Sequence, residues 1–336
     1  MSVIIPAIKP PVQLSAVAMV NPRAEKVSTT SSASALSGLS CGSVIDLSVG
    51  DTCSGKGHDA LLAANLNPNY PEDRWVMLTR CRAWIVFQGY STPLNADCLE
   101  AFCHDALEGV GVWHFVVPTG QGAHIQLAVT TAMVPDQNRT LLHFNRKPAS
   151  SQNSALADDL PVHLILRPDV EDRSFHDVTK AHTGPEHHFH HSTSNRNDTL
   201  IFEPAPHRKL TLILPGATYT PEPEWHYMVH RPLEKERGLD PDSDLFSPGY
   251  FTVDLTGGNT AILDASISEN QPVPGSIFDK LLKQAQKPIE AYSDQSLSET
   301  LINALKRFVV RREPYLSVIA GYPWFLDWGR DALIVV

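Results

Sequence analysis

The stretch "HIQLAVT" (His124–Thr130) decides the fold class, because apolar and polar residues alternate along most of it. Successive side chains of an extended strand point to opposite faces, so Ile125, Leu127 and Val129 share one face. The stretch "YFTVDL" (Tyr250–Leu255) alternates in the same way. Both patterns predict β-strands that bury one face in a core.

Short apolar runs of this kind recur between residues 46 and 267, separated by turn residues. The further runs are "WVML" from Trp75, "AWIVF" from Ala83, "WHFVV" from Trp113, "TLLHF" from Thr140, "VHLILR" from Val162, "TLIF" from Thr199, "LTLIL" from Leu210, "EWHYMV" from Glu224 and "TAILDASI" from Thr260. Helical patterns do not intervene between the runs, which disfavours parallel βαβ units. The chain is therefore predicted to be mainly β, as an antiparallel sandwich or barrel.

A helical period replaces the strand period after Pro274. "SIFDKLLKQAQ" begins at Ser276, a suitable N-cap, and places Ile277, Leu281 and Leu282 at helical spacing. This pattern predicts a helix that buries one apolar stripe.

A second helix is predicted from "SLSETLINALKRFVVRR" (Ser296–Arg312), which opens with the spacing of a capping box. Its predicted apolar stripe consists of Leu297, Leu301, Ile302, Leu305, Phe308 and Val309. The sequence thus predicts three regions: a disordered Ser/Pro-rich tail at 1–45, a β-sandwich domain at 46–270 and a helical connector at 271–336.

Composition restricts the partners and the compartment. The 336 residues carry a net charge of −10, which disfavours nucleic acid as a partner. The five cysteines are odd in number and irregularly spaced, so we predict a reducing cytoplasm. Cys98 and Cys103 are interpreted as buried free thiols rather than as a metal pair. No apolar run approaches the ~18–20 residues that would span a membrane.

The stretch "AGYPWFLDWGRD" (Ala320–Asp331) concentrates residues that can bind and cleave a sugar. Tryptophan rings pack on the C–H faces of a pyranose, and Arg and Asp side chains bind its hydroxyls. A glycosidase also needs one carboxylic acid to protonate the leaving oxygen. Asp331 could serve as that acid only if burial or another carboxylate raised its pKa against the helix dipole. The alternative is an N-cap and an Asp–Arg pair over a packed tryptophan.

Three segments resemble the bacterial and archaeal-type glycogen debranching enzymes, the amylo-α-1,6-glucosidases. "AGYPWFLDWGRD" is similar to the start of that family's catalytic domain, although Ala332 follows where Thr is usual. "EKERGLDPDSDLFSPGYF" (Glu234–Phe251) resembles the end of the family's N-terminal domain. "GHDALLAANLNP" (Gly57–Pro68) is similar to an early region of it, with His-Asp-Ala in place of His-Gly-Leu.

The resemblance implies an N-terminal β-super-sandwich followed by helices that begin an (α/α)6 barrel. It implies hydrolysis of the α-1,6-linked glucose at the branch points of glycogen or a branched α-glucan, with no metal or organic cofactor. Asp331 is then the catalytic general acid. The substrate-binding residues are Trp324, Asp327, Trp328 and Arg330.

The family's second catalytic carboxylate lies further along the barrel than Val336, so the missing part of the barrel is the expected partner. We therefore expect the isolated chain to show no debranching activity. Two alternatives remain open: a non-catalytic glycan-binding module, and another (α/α)6 glycosidase that acts on a different oligosaccharide.

Three further segments are given structural interpretations. "HTGPEHHFHHSTSNRND" (His182–Asp198) contains five histidines and is predicted to be a solvated loop between strands rather than a metal site. "GDTCSGKGHD" (Gly50–Asp59) lacks the spacing of a phosphate-binding loop. "EWHYMVH" (Glu224–His230) could line a glycan groove, but its pattern favours an ordinary strand.

Overall fold

Two antiparallel β-sheets packed face to face form the centre of the computed structural model. The structure describes residues 5–6, 60–66, 74–105, 108–134, 137–150, 154–267, 271–292, 298–299, 301–302, 308–312 and 315–318.

The helices and strands follow one another along the chain as follows. They are β1 (Ile5–Pro6), β2 (Leu62–Asn65), β3 (Arg74–Phe87), β4 (Tyr90–Pro93), β5 (Leu99–Asp105), β6 (Val110–Gly120), β7 (Ala123–Met133), β8 (Arg139–Arg146), β9 (Val162–Ser174), α1 (Thr183–His191), β10 (Thr193–Arg196), β11 (Thr199–Ala205), β12 (Arg208–Ile213), β13 (Thr218–His230), α2 (Pro232–Glu236), β14 (Asp242–Leu255), β15 (Thr260–Ile267), α3 (Gly275–Gln286), a 3-10 turn (Ile289–Tyr292), β16 (Val309–Arg312) and β17 (Tyr315–Val318).

The first sheet has nine strands in the order β1-β5-β6-β7-β8-β15-β12-β11-β10. The second has six, in the order β13-β14-β9-β3-β2, with β4 also paired to β3. Neighbouring strands in both sheets are antiparallel, so the prediction of a mainly β antiparallel sandwich is confirmed. Each predicted run coincides with a strand, except that Leu214 lies just beyond β12, and the runs from Trp75 and Ala83 form one continuous strand, β3.

The core lies between the two sheets, as the alternating stretches predicted. Ile125, Leu127 and Val129 of β7 are buried, and Phe251 and Leu255 of β14 are buried opposite them in the other sheet. Burying an aliphatic or aromatic side chain of this size contributes roughly 1.5–3 kcal/mol. Apolar packing between the sheets therefore holds the sandwich together.

Helix α3 covers part of the outer face of the nine-stranded sheet. Ile277, Leu281 and Ala285 are buried there in a second apolar cluster with side chains of β6, β7 and β8. The helix begins one residue before Ser276 with Pro274 as its N-cap, so the predicted serine cap is wrong. Leu282 is 39% exposed and lies outside the buried stripe.

The predicted helix at 296–312 is wrong at its C-terminal end. Residues 298–299 and 301–302 are helical, but Leu301 and Ile302 are more than half exposed. Val309–Arg312 forms β16, which pairs with β17 in a two-stranded sheet. Two consecutive valines favour an extended chain when a partner strand is available, because β-branched side chains are restricted in a helix.

The histidine-rich segment is not the solvated loop that was predicted. Most of it forms helix α1 and strand β10. The imidazole of His182 caps the helix by accepting a hydrogen bond from the backbone N–H of Gly184. Phe189 is buried against Phe202 and Trp225, and this burial supplies the apolar anchor that holds the short helix on the sandwich.

Within the described ranges, no helix combines the length and the apolar character that crossing a membrane requires. Ile5 and Pro6 lie in the region predicted as a tail and pair with Phe102 and Ala101 of β5.

Candidate functional site

The residues predicted to carry catalysis and sugar binding lie outside the described residues. They are Trp324, Asp327, Trp328, Arg330 and Asp331. The segment Gly50–Asp59 also lies outside them. The roles of these residues therefore stay predictions.

The described residues contain a different concentration of polar groups, on the outer face of the six-stranded sheet. We call it the arginine–carboxylate network: Arg80 and Arg82 of β3, Arg167 and Asp169 of β9, and Glu222, Glu224 and His226 of β13. Cys81 and Ala83 alternate with the arginines of β3 and point into the apolar core. The charges therefore lie on the face opposite the core.

Asp169 is the centre of the buried part of the network. Its Oδ2 accepts hydrogen bonds from Arg80 Nε at 2.5 Å and from Arg82 Nε at 3.0 Å, and its Oδ1 accepts from Arg82 Nη2 at 2.8 Å. All three side chains are almost completely buried. One carboxylate between two guanidiniums satisfies charges that would otherwise be costly to bury.

The outer part of the network reaches solvent through β13. Arg167 pairs with Glu222 at 2.9 Å and with Glu224 at 3.0 Å. His226 hydrogen-bonds Glu224 and lies with its Nε2 2.9 Å from Arg82 Nη1. Desolvation raises the pKa of Glu224, but Arg167, the His226 hydrogen bond and Arg82 outweigh it, so the pKa is lowered. Glu224 is therefore an anion and a hydrogen-bond acceptor rather than an acid.

Two half-buried aromatic rings border the network. The guanidinium of Arg82 lies 5.9 Å from the ring centroid of Trp84, and that of Arg167 lies 5.9 Å from the ring centroid of Tyr250. Both rings are partly exposed. Aromatic rings beside fixed arginines and carboxylates form a surface that can bind a polyhydroxylated or polar partner.

A second charged cluster lies beside the network but is closed to solvent. Glu171 accepts hydrogen bonds from Thr79 and from Arg173 Nε at 2.9 Å, and its Oε2 lies 3.8 Å from Arg231 Nη2. Desolvation raises the pKa of Glu171, but the two arginines outweigh it and lower that pKa. Since Glu171 is fully buried, this cluster joins β3, β9 and the chain after β13 rather than binding a ligand.

Other polar features of the described chain do not form a site. Cys81, Cys98 and Cys103 are buried free thiols, as predicted for the latter two. A cavity of about 10 Å³ between β7 and the chain after β8 has room for roughly one water molecule. Among the residues described, no group of three or more His, Cys, Asp or Glu side chains is arranged to hold a metal ion.

Sequence reasoning missed the arginine–carboxylate network, although a signal was present. Charged residues repeat at every second position in Arg167–Arg173 and again in Glu222–His226. In a strand this spacing places the charges on one face. Arg80 and Arg82 follow the same spacing. Each of the three segments therefore has one charged face, and three such segments side by side would give one charged face of a sheet.

The strand order and the packed sheets define the protein as a two-sheet antiparallel β-sandwich with a charged outer face. Comparison with protein families then places it more narrowly. The profile described as "Glycogen debranching enzyme N terminal" matches residues 47–262, which is more than half of the chain. The profile described as "Amylo-alpha-1,6-glucosidase" matches residues 302–336. The chain belongs to the glycogen debranching enzyme family.

Two solved structures align with the chain at low similarity. A putative kojibiose phosphorylase from the human microbiome is 11% identical, with a TM-score of 0.31, over 77% of this chain and 30% of that chain. A bacterial glucoamylase complexed with acarbose is 9% identical, with a TM-score of 0.37, over 96% of this chain and 46% of that chain. The chain thus spans less than half the length of either protein. No curated protein matches the chain.

Proposed function

We propose that the chain takes part in the hydrolysis of α-1,6-glucosidic branch points in glycogen or a related branched α-glucan. The observation that carries the proposal is the order of the two family matches, with an N-terminal debranching-enzyme region followed by an amylo-α-1,6-glucosidase region. This order agrees with the predicted sandwich at 46–270 and the predicted start of an (α/α)6 barrel within 271–336.

In this proposal Asp331 is the general acid that protonates the oxygen of the departing glucan. Trp324 and Trp328 pack on the faces of the terminal glucose, while Asp327 and Arg330 bind its hydroxyls. The carboxylate that activates water comes from the remainder of the barrel. Since hydrolysis needs both carboxylates, residues 1–336 alone are expected to release no glucose.

The sandwich would pack against the barrel and frame the substrate cleft. The arginine–carboxylate network supports this role because buried ion pairs join Arg80, Arg82 and Asp169, while the Glu222 carboxylate is 60% exposed to a polar partner. The buried free thiols of Cys81, Cys98 and Cys103 support a reducing, cytoplasmic location.

The general-acid role is tested with the protein expressed from its complete reading frame. Asp331→Asn should lower glucose release from a phosphorylase limit dextrin by about 10²–10⁴-fold, because the leaving oxygen is no longer protonated. The same variant should lose less than about tenfold on α-glucosyl fluoride, because fluoride departs without a proton. Asp327→Asn is the control and should weaken both reactions alike.

Equal losses on the two substrates would assign Asp331 to structure instead of proton transfer. If the unaltered protein from the complete reading frame released no glucose from the dextrin, the branch-point activity would be rejected altogether.

A non-catalytic glycan-binding role is the second candidate. It is favoured by the half-buried rings of Trp84, near Arg82, and of Tyr250, near the Arg167 that pairs with exposed Glu222. Co-sedimentation with glycogen tests it without reference to catalysis. Trp84→Ala and Tyr250→Ala should each reduce the bound fraction if the outer face binds glucan. Tyr90→Ala, which alters an exposed ring elsewhere on the six-stranded sheet, is the matched control.

A further inference from the structure

Helix α1 brings together two histidines that the sequence alone placed in a loop. His187 and His191 are four residues apart, and residues at this spacing lie one above the other on the same face of a helix. Both side chains are exposed. Two imidazoles at this spacing on a helix are the arrangement that binds zinc in metalloprotease helices.

The two imidazole rings lie close together on the helix surface. The ring centroids are 4.1 Å apart and the planes differ by 24°. Metal–nitrogen bonds of about 2.0–2.1 Å place two ligating nitrogens roughly 3 Å apart. Because the rings are stacked, the two exposed side chains must rotate before one nitrogen of each reaches a shared ion.

A backbone hydrogen bond fixes the tautomer of His191. Its Nδ1 lies 2.7 Å from the carbonyl oxygen of His187, which can only accept, so Nδ1 carries the proton. Nε2 is then left with its lone pair directed away from the helix backbone. A donated Nδ1–H bond of this kind orients many metal-binding histidines and increases their basicity.

The helix backbone is held in place on its opposite side. Phe189 is buried against Phe202 and Trp225, and His188 Nε2 donates to the carbonyl oxygen of Pro204 at 2.7 Å. The side chain and the backbone N–H of Ser192 both bond the carbonyl oxygen of His188 at the C-terminal end. The two exposed rings therefore project from a fixed support, which reduces the entropy lost when an ion binds.

We propose that His187 and His191 form a two-histidine site for a late first-row divalent transition metal, completed by water. Imidazole nitrogen binds Zn²⁺, Ni²⁺ and Cu²⁺, and of these three ions Cu²⁺ is bound most tightly. Two protein ligands are fewer than the three or four of an enclosed zinc site, so the bound ion stays exposed and exchangeable. This proposal is independent of the debranching activity.

The test is a titration of the full chain with CuCl₂ at near-neutral pH in a weakly coordinating buffer, followed by calorimetry. We expect a saturable binding component that His187→Ala and His191→Ala each weaken by about tenfold or more, since the second ligand binds intramolecularly. Electron paramagnetic resonance of the bound Cu²⁺ should show coupling to imidazole nitrogen that is lost in the double variant. Alanine is the best helix former, so these exposed substitutions keep helix α1 intact.

His182→Asn is the matched control, because it removes an imidazole from the same segment and keeps an N-cap acceptor. His182→Asn should leave the Cu²⁺ affinity within about twofold of that of the unaltered protein. The chain contains 15 histidines, so the difference between variants decides the result. The proposal is overturned if His187→Ala and His191→Ala bind Cu²⁺ as the unaltered protein does, or if His182→Asn weakens binding equally. Unchanged circular dichroism and melting temperature without metal show that the variants fold.

Discussion

Two buried histidines should make the sandwich sensitive to mild acid. His114 of β6 and His143 of β8 are each 2% exposed, and both lie in the nine-stranded sheet. Burial lowers the pKa of each from 6.5 to about 4, and the cation of Lys147, 3.3 Å from His114 Nδ1, adds to the effect on His114. The folded protein therefore resists protonation of both rings.

The sign and size of the effect follow from proton linkage. Between pH 6.5 and pH 4 the unfolded chain binds protons that the folded protein does not, so stability falls as the pH falls through this window. Each histidine has a pKa of about 4 in the folded state and about 6.5 in the unfolded state. Each therefore lowers the free energy of unfolding by about 2 kcal/mol at pH 5 relative to pH 7.5. The two together cost about 4 kcal/mol, which is a large part of a typical unfolding free energy.

Urea denaturation followed by tryptophan fluorescence, at constant ionic strength and about pH 7.5, 6 and 5, measures this loss. His143→Gln and His114→Gln keep a neutral polar side chain and should each remove about half of the pH dependence. The reasoning would be refuted if the free energy of unfolding fell by less than about 1 kcal/mol between pH 7.5 and pH 5. It would also be refuted if both glutamine variants showed the same pH dependence as the unaltered protein.

Three substitutions, two of them paired with a control substitution, test other parts of the structure by urea denaturation. Asp169→Asn should destabilise the protein by about 3–5 kcal/mol, because it leaves two buried guanidiniums without their carboxylate. Asp254→Asn, at an exposed pair with His163, should destabilise the protein by less than about 1 kcal/mol. If Asp169→Asn and Asp254→Asn destabilised the protein equally, burial would not explain the effect. Gly249→Ala should cost well over 2 kcal/mol, because a Cβ there would lie 2.3 Å from the carbonyl oxygen of Thr220 at a φ of +154°. Gly216→Ala, at a positive φ but in open space, should cost only about 1–2 kcal/mol. Leu281→Ala should cost about 2–5 kcal/mol if helix α3 is held by its buried stripe, and a near-zero change would show that the helix packs loosely.

The sequence by itself determined the fold class, because the side chains of a strand alternate with a period of two whatever its partners are. Ile125 and Phe251 are buried as their patterns required. The same reasoning could not choose partners: β8 pairs with β15 more than a hundred residues later, and β3 pairs with β9. Such pairings depend on packing between distant segments, which a local pattern does not contain.

Tertiary structure also decided the local conformation wherever propensity was weak. Val309 lies in a strand because a partner strand follows at once, although its spacing fitted a helical stripe. The histidine-rich segment is a helix because Phe189 has an apolar site to fill. Arg82, Asp169 and Glu224 come from three strands far apart in sequence, and only the sheet order brings their charges together. The sequence therefore specified the buried face of strands such as β7 and β14, because alternation is a local property. The folded chain determined which charges meet and that Arg80 and Arg82 are buried with Asp169, because electrostatic pairing depends on distances between distant segments.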